Sequence, residues 1–216
     1  KMDYSQFFNM IPEAGLMAIL VIVFLADLFL KGEKKHATLS MLTCVLLVAQ
    51  VVLCFNAQPA EAFAGLYTAT AAAQVMKVIL TAGAFIVVVM AQSWIEREDV
   101  LRKEGEFYEL VISTLLGMYM MISSGHFLMF FLGLEMASVP MACLVAFDKY
   151  KKNSAEGAAK FVLTATFSSG VMLYGISFLY GACGTLYFDD VAAKISASPL
   201  TIMGLVFFFS GLGFKI

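Results

Sequence analysis

An all-α, polytopic membrane bundle is the fold this sequence predicts, and three observations carry it. Of the 216 residues, 61% are hydrophobic and only 14% charged, and the mean hydropathy is +0.88, far from a soluble domain. Apolar runs near twenty residues recur along the chain, each long enough to cross a bilayer as a helix. Basic residues cluster in every second connection between those runs, as expected of a chain that threads a membrane.

The apolar runs place seven helices, near 11–30, 37–55, 72–94, 107–122, 126–147, 156–180 and 200–216, in a single transmembrane domain. Pro12 suits the first turn of the first helix, and Ser198 with Pro199 reads as the N-cap and N1 pair of the last. The first run lacks a small-residue cleavage site and is read as a retained span. Residues 94–106 form a short connection of mixed charge, too short for a domain of its own. The run that holds Phe214, Lys215 and Ile216 ends without a cap or polar flank, so the chain is expected to be truncated within the seventh helix.

Lys31, Lys34, Lys35, Arg97, Arg102, Lys103, Lys149, Lys151 and Lys152 occupy alternate connections, nine of the fourteen basic residues. By the positive-inside rule that side is cytoplasmic, which leaves the amino terminus, 56–71, 123–125 and 181–198 outside. Lys1 and Lys194 oppose the assignment. The net charge of −2 carries no nucleic-acid footprint. Cys44, Cys54, Cys143 and Cys183 show no CxxC or metal spacing and read as free thiols. No phosphate-binding glycine loop, dinucleotide fingerprint or HExxH motif occurs.

Chemistry is expected where charge enters the hydrocarbon, at about 2.5–3.5 kcal/mol per ionised group at mid-bilayer. Glu135 lies in the middle of the fifth run, and Pro140, five residues on, frees the carbonyl of Met136 beside it. A protonated Glu135 serving as packing glue is the alternative. Lys215 lies about 24 Å past Pro199 on a straight helix, deep enough to snorkel to the cytoplasmic headgroups. Glu135 lies about 14 Å past His126, so upright helices leave the two about 10 Å apart in depth. Tilt, side-chain reach or a broken helix is needed to close that gap, and Gly211 and Gly213 mark a place where the seventh helix can unwind beside a polar cavity. Lys160 heads a stripe continued by Thr164 and Ser168, suited to lining a water path or to packing. Lys77 reads as a snorkelling lysine, Glu13 and Asp27 as interfacial carboxylates, and His126 as an interfacial histidine. No clustered metal ligands are seen.

Four stretches together, GEFYELVISTLLGMYMMISSGHFLMFFLGLEM (105–136), AEGAAKFVLTATFSSGVMLYGISFLYGACGTLYF (155–188), GLGFKI (211–216) and, more weakly, IPEAGLMAILVIVFLADLF (11–29), resemble the antiporter-like, proton-pumping membrane subunits of respiratory complex I. GLE around the acid resembles the N type of these subunits, where the M and L types tend to FWE or GWEG. The resemblance implies a full-length fold of about fourteen helices in inverted repeats, of which this chain covers the first half. It implies a functional pair in Glu135 and Lys215, with Lys160 matching the sixth-helix lysine. The family's eighth-helix lysine and twelfth-helix exit residue have no counterpart in these residues.

The same resemblance implies proton translocation coupled to quinone reduction elsewhere in NADH-quinone oxidoreductase. Flavin mononucleotide, iron–sulfur clusters and quinone then belong to partner subunits, with no cofactor on this chain. Its expected partners are other membrane subunits and the lipid bilayer of a bacterial inner membrane. Subunits of Mrp-type cation/proton antiporters or membrane-bound hydrogenases, and a non-transporting membrane scaffold, are the competing expectations. Burial favours the neutral forms of a lysine and a glutamate, whereas proximity favours their charged forms, so separation of Glu135 from Lys215 releases a proton.

Overall fold

A computed structural model describes residues 4–30, 35–95, 103–148 and 151–215. After a 3₁₀ turn at Tyr4–Met10 come α1 (Ile11–Phe29), α2 (Lys35–Asn56), β1 (Ala60–Ala62), β2 (Tyr67–Ala69), α3 (Ala71–Ile95) and α4 (Glu104–Ile122). Then follow α5 (Phe127–Val145), α6 (Lys152–Cys183), the short α7 (Phe188–Lys194) and α8 (Pro199–Gly213). The chain is an all-α polytopic membrane protein, and the one sheet among the described residues is the small β1–β2 hairpin.

Local chemistry explains most of the element ends. Pro12 and Pro199 occupy first turns, where no backbone donor is needed, and the Ser198 hydroxyl accepts from Thr201 N–H at 3.2 Å as an N-cap. Gly184, at φ +69°, closes α6 in the left-handed region that costs glycine least. At α5 the His126 ring caps the helix, with Nδ1 accepting from Leu128 N–H at 3.2 Å.

The hairpin defines one face of the bundle. Thr68 N–H donates to Ser123 O at 2.8 Å, Gly125 N–H to Leu66 O at 2.9 Å and Phe127 N–H to Leu186 O at 3.0 Å. The β-turn, the α4–α5 corner and the segment after α6 therefore meet at one level. The opposite face is marked by Asp27 pairing with Lys35 at 2.8 Å and His36 with Glu104 at 2.5 Å. Lys35, Lys103, Lys151 and Lys152 lie toward this second face; Lys1, Lys31, Lys34, Arg97, Arg102, Lys149 and Ile216 lie outside the described residues.

Two large apolar cores result, beside a small cluster of Ala62, Tyr67 and Ala69 at the hairpin. Leu16, Val23, Leu39, Leu47, Val88, Ile112 and Leu115 fill the space among α1–α4. Phe127, Met172, Ile176, Leu179 and Phe208 join α5, α6 and α8, with Val191 of α7 as a lid. Outward-facing Phe24, Val48, Ile79, Val89, Val206 and Phe209 stay exposed, as a lipid-facing surface requires. Small residues bring backbones together within the bundle: a Cβ on Gly133 would sit 2.6 Å from Met121 N, and one on Gly211 2.7 Å from Met172 N.

Several elements differ from the sequence expectation. Among the described residues, five helices are long and apolar enough to cross a membrane, where seven were expected. The count leaves out α4, whose first turn carries Glu104 and Glu106, and α8, which has 15 residues. The expected loop 56–71 holds a hairpin, whose turn takes Phe63, Ala64 and Gly65 through positive φ. α6 extends beyond 156–180 at both ends and takes in Cys183, while α7 occupies part of the expected loop 181–198. The last helix ends at Gly213, not at the end of the chain.

Candidate functional site

Glu135 and Lys215 are in contact: the lysine Nζ donates to Glu135 Oε1. Two neighbours complete the pair. Ser169 of α6 donates its hydroxyl to the same carboxylate oxygen at 2.5 Å, and Ser138, one turn along α5, accepts from Lys215 Nζ at 3.3 Å. Ser169 Oγ also lies 2.7 Å from Ala165 O, so its single proton has two acceptors between which it can rotate.

The meeting closes the expected depth gap, and the packing of α8 along α6 explains how. Gly204 lies against Leu179, Gly175 against Phe208, and Gly211 against Ser168 and Met172. These contacts set α8 antiparallel to α6 and bring Gly211 level with the turn that carries Ser169. The helix stops two residues later, and Lys215 reaches sideways to Glu135 instead of continuing toward the far headgroups. A snorkelling Lys215 is thereby corrected: its side chain is 7% exposed.

The pair stands between two clefts. One, of about 690 Å³, is lined by Thr114, Ser138, Lys160, Thr164, Phe214 and Lys215 among others. The other, of about 580 Å³, is lined by Glu135, Ser138, Val139, Cys143 and Phe161 among others. Ser138, Phe161 and Ala165 border both, so the acid faces one cleft and the base the other. α5 continues as a helix through Pro140, and Ser138 Oγ donates to Leu134 O beside the pair.

Lys160 and Thr164 share the first cleft with Lys215 but do not touch the pair. Lys160 binds Glu156 at 2.6 Å with its side chain 75% exposed, and Thr164 Oγ1 donates to Lys160 O at 2.9 Å. Ser168, expected on the same stripe, is buried, donates to Ala165 O at 2.8 Å and does not line that cleft. The serine that reaches the acid is its neighbour Ser169, on a different face from the Lys160 stripe. Gly213 is the last helical residue, and Gly211 is the site of close approach to α6.

Sequence reasoning also missed a second buried pair. Lys77, read as a snorkelling residue, is fully buried and bound to Glu13 at 2.5 Å, so neither is an interfacial group. The available signal was the recurrence of polar residues on one face of α3 at Gln74, Lys77 and Thr81.

The chain is similar to known membrane proteins along its length. A family model described as NADH:quinone oxidoreductase/Mrp antiporter, transmembrane, matches residues 124–216, which include Glu135, Lys160 and Lys215. NADH-quinone oxidoreductase subunit N from Phocaeicola vulgatus is 52% identical over 215 residues, covering 100% of this chain and 45% of the relative. Over its whole length the chain is similar to NADH-quinone oxidoreductase subunit N. A second subunit N, from Azobacteroides pseudotrichonymphae, is 44% identical over 217 residues, again 100% of this chain and 45% of the relative. The chain thus spans about 45% of the length of these subunit N relatives. Among solved structures, a chain of respiratory complex I from Thermus thermophilus superposes with a TM-score of 0.77 at 26% identity, covering 94% of this chain and 43% of that one. A chain of an archaeal membrane-bound sulfane sulfur reductase shares the fold, with a TM-score of 0.74 at 18% identity over 95% of this chain and 44% of that one.

Proposed function

We propose that this chain forms part of a proton-translocating membrane subunit of NADH-quinone oxidoreductase, with Glu135 and Lys215 as the switching pair of its relay. The observation that carries the reading is an acid and a base joined inside an apolar bundle, each facing a different cleft. Joined, each group stabilises the other's charge; separated, the lysine in its low-dielectric setting gives up its proton. Ser169 holds the carboxylate while Lys215 moves, and Ser138 offers the ammonium a second acceptor. Lys160 and Thr164 line the route from the charged face to Lys215.

Moving one charge against 100 mV takes about 2.3 kcal/mol. In this reading quinone reduction in other membrane-complex subunits supplies it, with flavin and iron–sulfur clusters held there. The hairpin face is external, because Lys35, Lys103, Lys151 and Lys152 gather on the opposite face. The membrane is then a bacterial plasma membrane, with the amino terminus outside.

Glu135→Gln in the full-length subunit tests the reading. The complex should assemble and reduce quinone but pump few protons. Normal pumping supports the scaffold alternative. The family model's shared description keeps an Mrp-type antiporter as the second reading, and proton exchange that depends on Na⁺ in the isolated subunit supports it.

A further inference from the structure

The second buried carboxylate–lysine pair differs from the first in each respect that bears on proton transfer. Glu13 and Lys77 show side-chain exposures of 3% and 0%, and neither borders the two clefts around Glu135 and Lys215. The carboxylate accepts from three donors: Lys77 Nζ at 2.5 Å, Tyr67 OH at 2.9 Å and Ser123 Oγ at 3.4 Å. The ammonium also donates to Tyr67 OH at 3.3 Å and lies 5.3 Å from the Tyr67 ring centre and 5.4 Å from that of Tyr119. Two aromatic faces and a carboxylate thus surround the ammonium.

A buried chain of hydrogen bonds continues from this cage. Thr81 Oγ1 donates to Lys77 O at 2.7 Å and bonds the Tyr119 hydroxyl. Tyr119 OH lies 3.0 Å from Cys54 Sγ. Gln50 Nε2 reaches Cys54 Sγ at 3.6 Å and Pro12 O, next to Glu13, at 2.7 Å. One network therefore ties α1, α2, α3, β2 and the end of α4. A carrier needs a route to water and a change of partner; this pair is held by Tyr67 of β2 and by Ser123 at the end of α4 and borders neither cleft.

We propose that Glu13 and Lys77 form a structural clamp that fastens the hairpin and α1–α3 to the end of α4 and takes no part in carrying protons. Its second half rests on the proton-relay reading above, whereas the clamp itself does not. Loss of one partner strands a buried charge, while loss of both replaces the pair by neutral groups that the cavity tolerates, so single and double changes separate the possibilities.

The experiment compares Glu13→Gln, Lys77→Met and the double variant in the full-length subunit within its membrane complex. Resistance to unfolding by detergent titration and protons pumped per electron in inverted vesicles are read for each. Each single variant should lower the folded-to-unfolded ratio on the order of a hundredfold or more. The double variant should recover most of that loss and pump as many protons per electron as the unmodified complex. Single variants as stable as the parent, or a double variant as damaged as the worse single, would overturn the clamp. A double variant that assembles but pumps fewer protons per electron would make the pair a carrier. If Glu135→Gln also leaves pumping unchanged, the relay reading fails, while the stability cycle still decides the clamp.

Discussion

Ser169→Ala removes one oxygen from the immediate surroundings of Glu135. Its hydroxyl is 2.5 Å from Glu135 Oε1 and 2.7 Å from Ala165 O, and the alanine leaves the helix backbone intact. Hydrogen bonds to charged groups contribute about 1.5–3 kcal/mol when buried. Glu135 retains 30% exposure, which places the loss near the lower end, about 1.5 kcal/mol or roughly tenfold in a rate that depends on the pair. Ser169→Thr keeps the hydroxyl and serves as control. The assay is the initial rate of proton uptake by inverted vesicles driven by NADH, normalised to complex assembled on native gels. Proton uptake at the parental rate in fully assembled Ser169→Ala complex would refute the idea that this hydroxyl holds the carboxylate during transfer.

Gly117→Val places a side chain into the α5 backbone, 2.7 Å from Met136 C and 2.9 Å from Ala137 Cα even for the first carbon, and should cost more than the about 1–3 kcal/mol of ordinary overpacking. Thermal scans of the complex should show a lower midpoint, whereas Gly83→Ala, where nothing lies within 4 Å, should leave it unchanged or slightly raised. At His126, burial pushes the imidazole below its ordinary range, and its cap requires an unprotonated Nδ1. A lowered histidine value means the unfolded chain binds the extra proton first, so the cap's contribution is present above about pH 6.5 and fades as pH falls through the folded value. Stability should therefore drop from pH 8 to pH 5 in the parent, and the drop should shrink in His126→Asn. Lys160→Met removes an exposed pair with Glu156 that contributes about 0–1 kcal/mol, so assembly should persist while proton uptake slows.

Apolar length and loop charge made the bundle legible because the hydrocarbon imposes one requirement on every span, and Ile11–Phe29 or Phe127–Val145 satisfy it locally. Glu135 and Lys215 were legible as residues because charge in an apolar run has a cost wherever it sits. Their contact was not, since it depends on where α8 lies along α6, and that is set by Gly204, Gly211 and Gly175 meeting partners distant in sequence. Ser169 differs from Ser168 by one residue, and only the helix rotation chooses which faces the acid. The hairpin escaped notice because its strands are three residues each and take their order from Thr68 pairing with Ser123, and Leu66 with Gly125, across the corner. Lys77 was misread because depth alone allows snorkelling, whereas Tyr67, Tyr119 and Glu13 converge on it from three other elements.

The most direct measurement of the central claim is the number of protons pumped per NADH oxidised by complex carrying full-length Lys215→Met, with assembly and quinone reduction followed in parallel. Lys215→Met takes away the ammonium that Glu135 and Ser138 hold between the two clefts. An assembled complex with a lowered proton yield per electron is expected. An unchanged yield would contradict the relay and leave Lys215 as a packing residue.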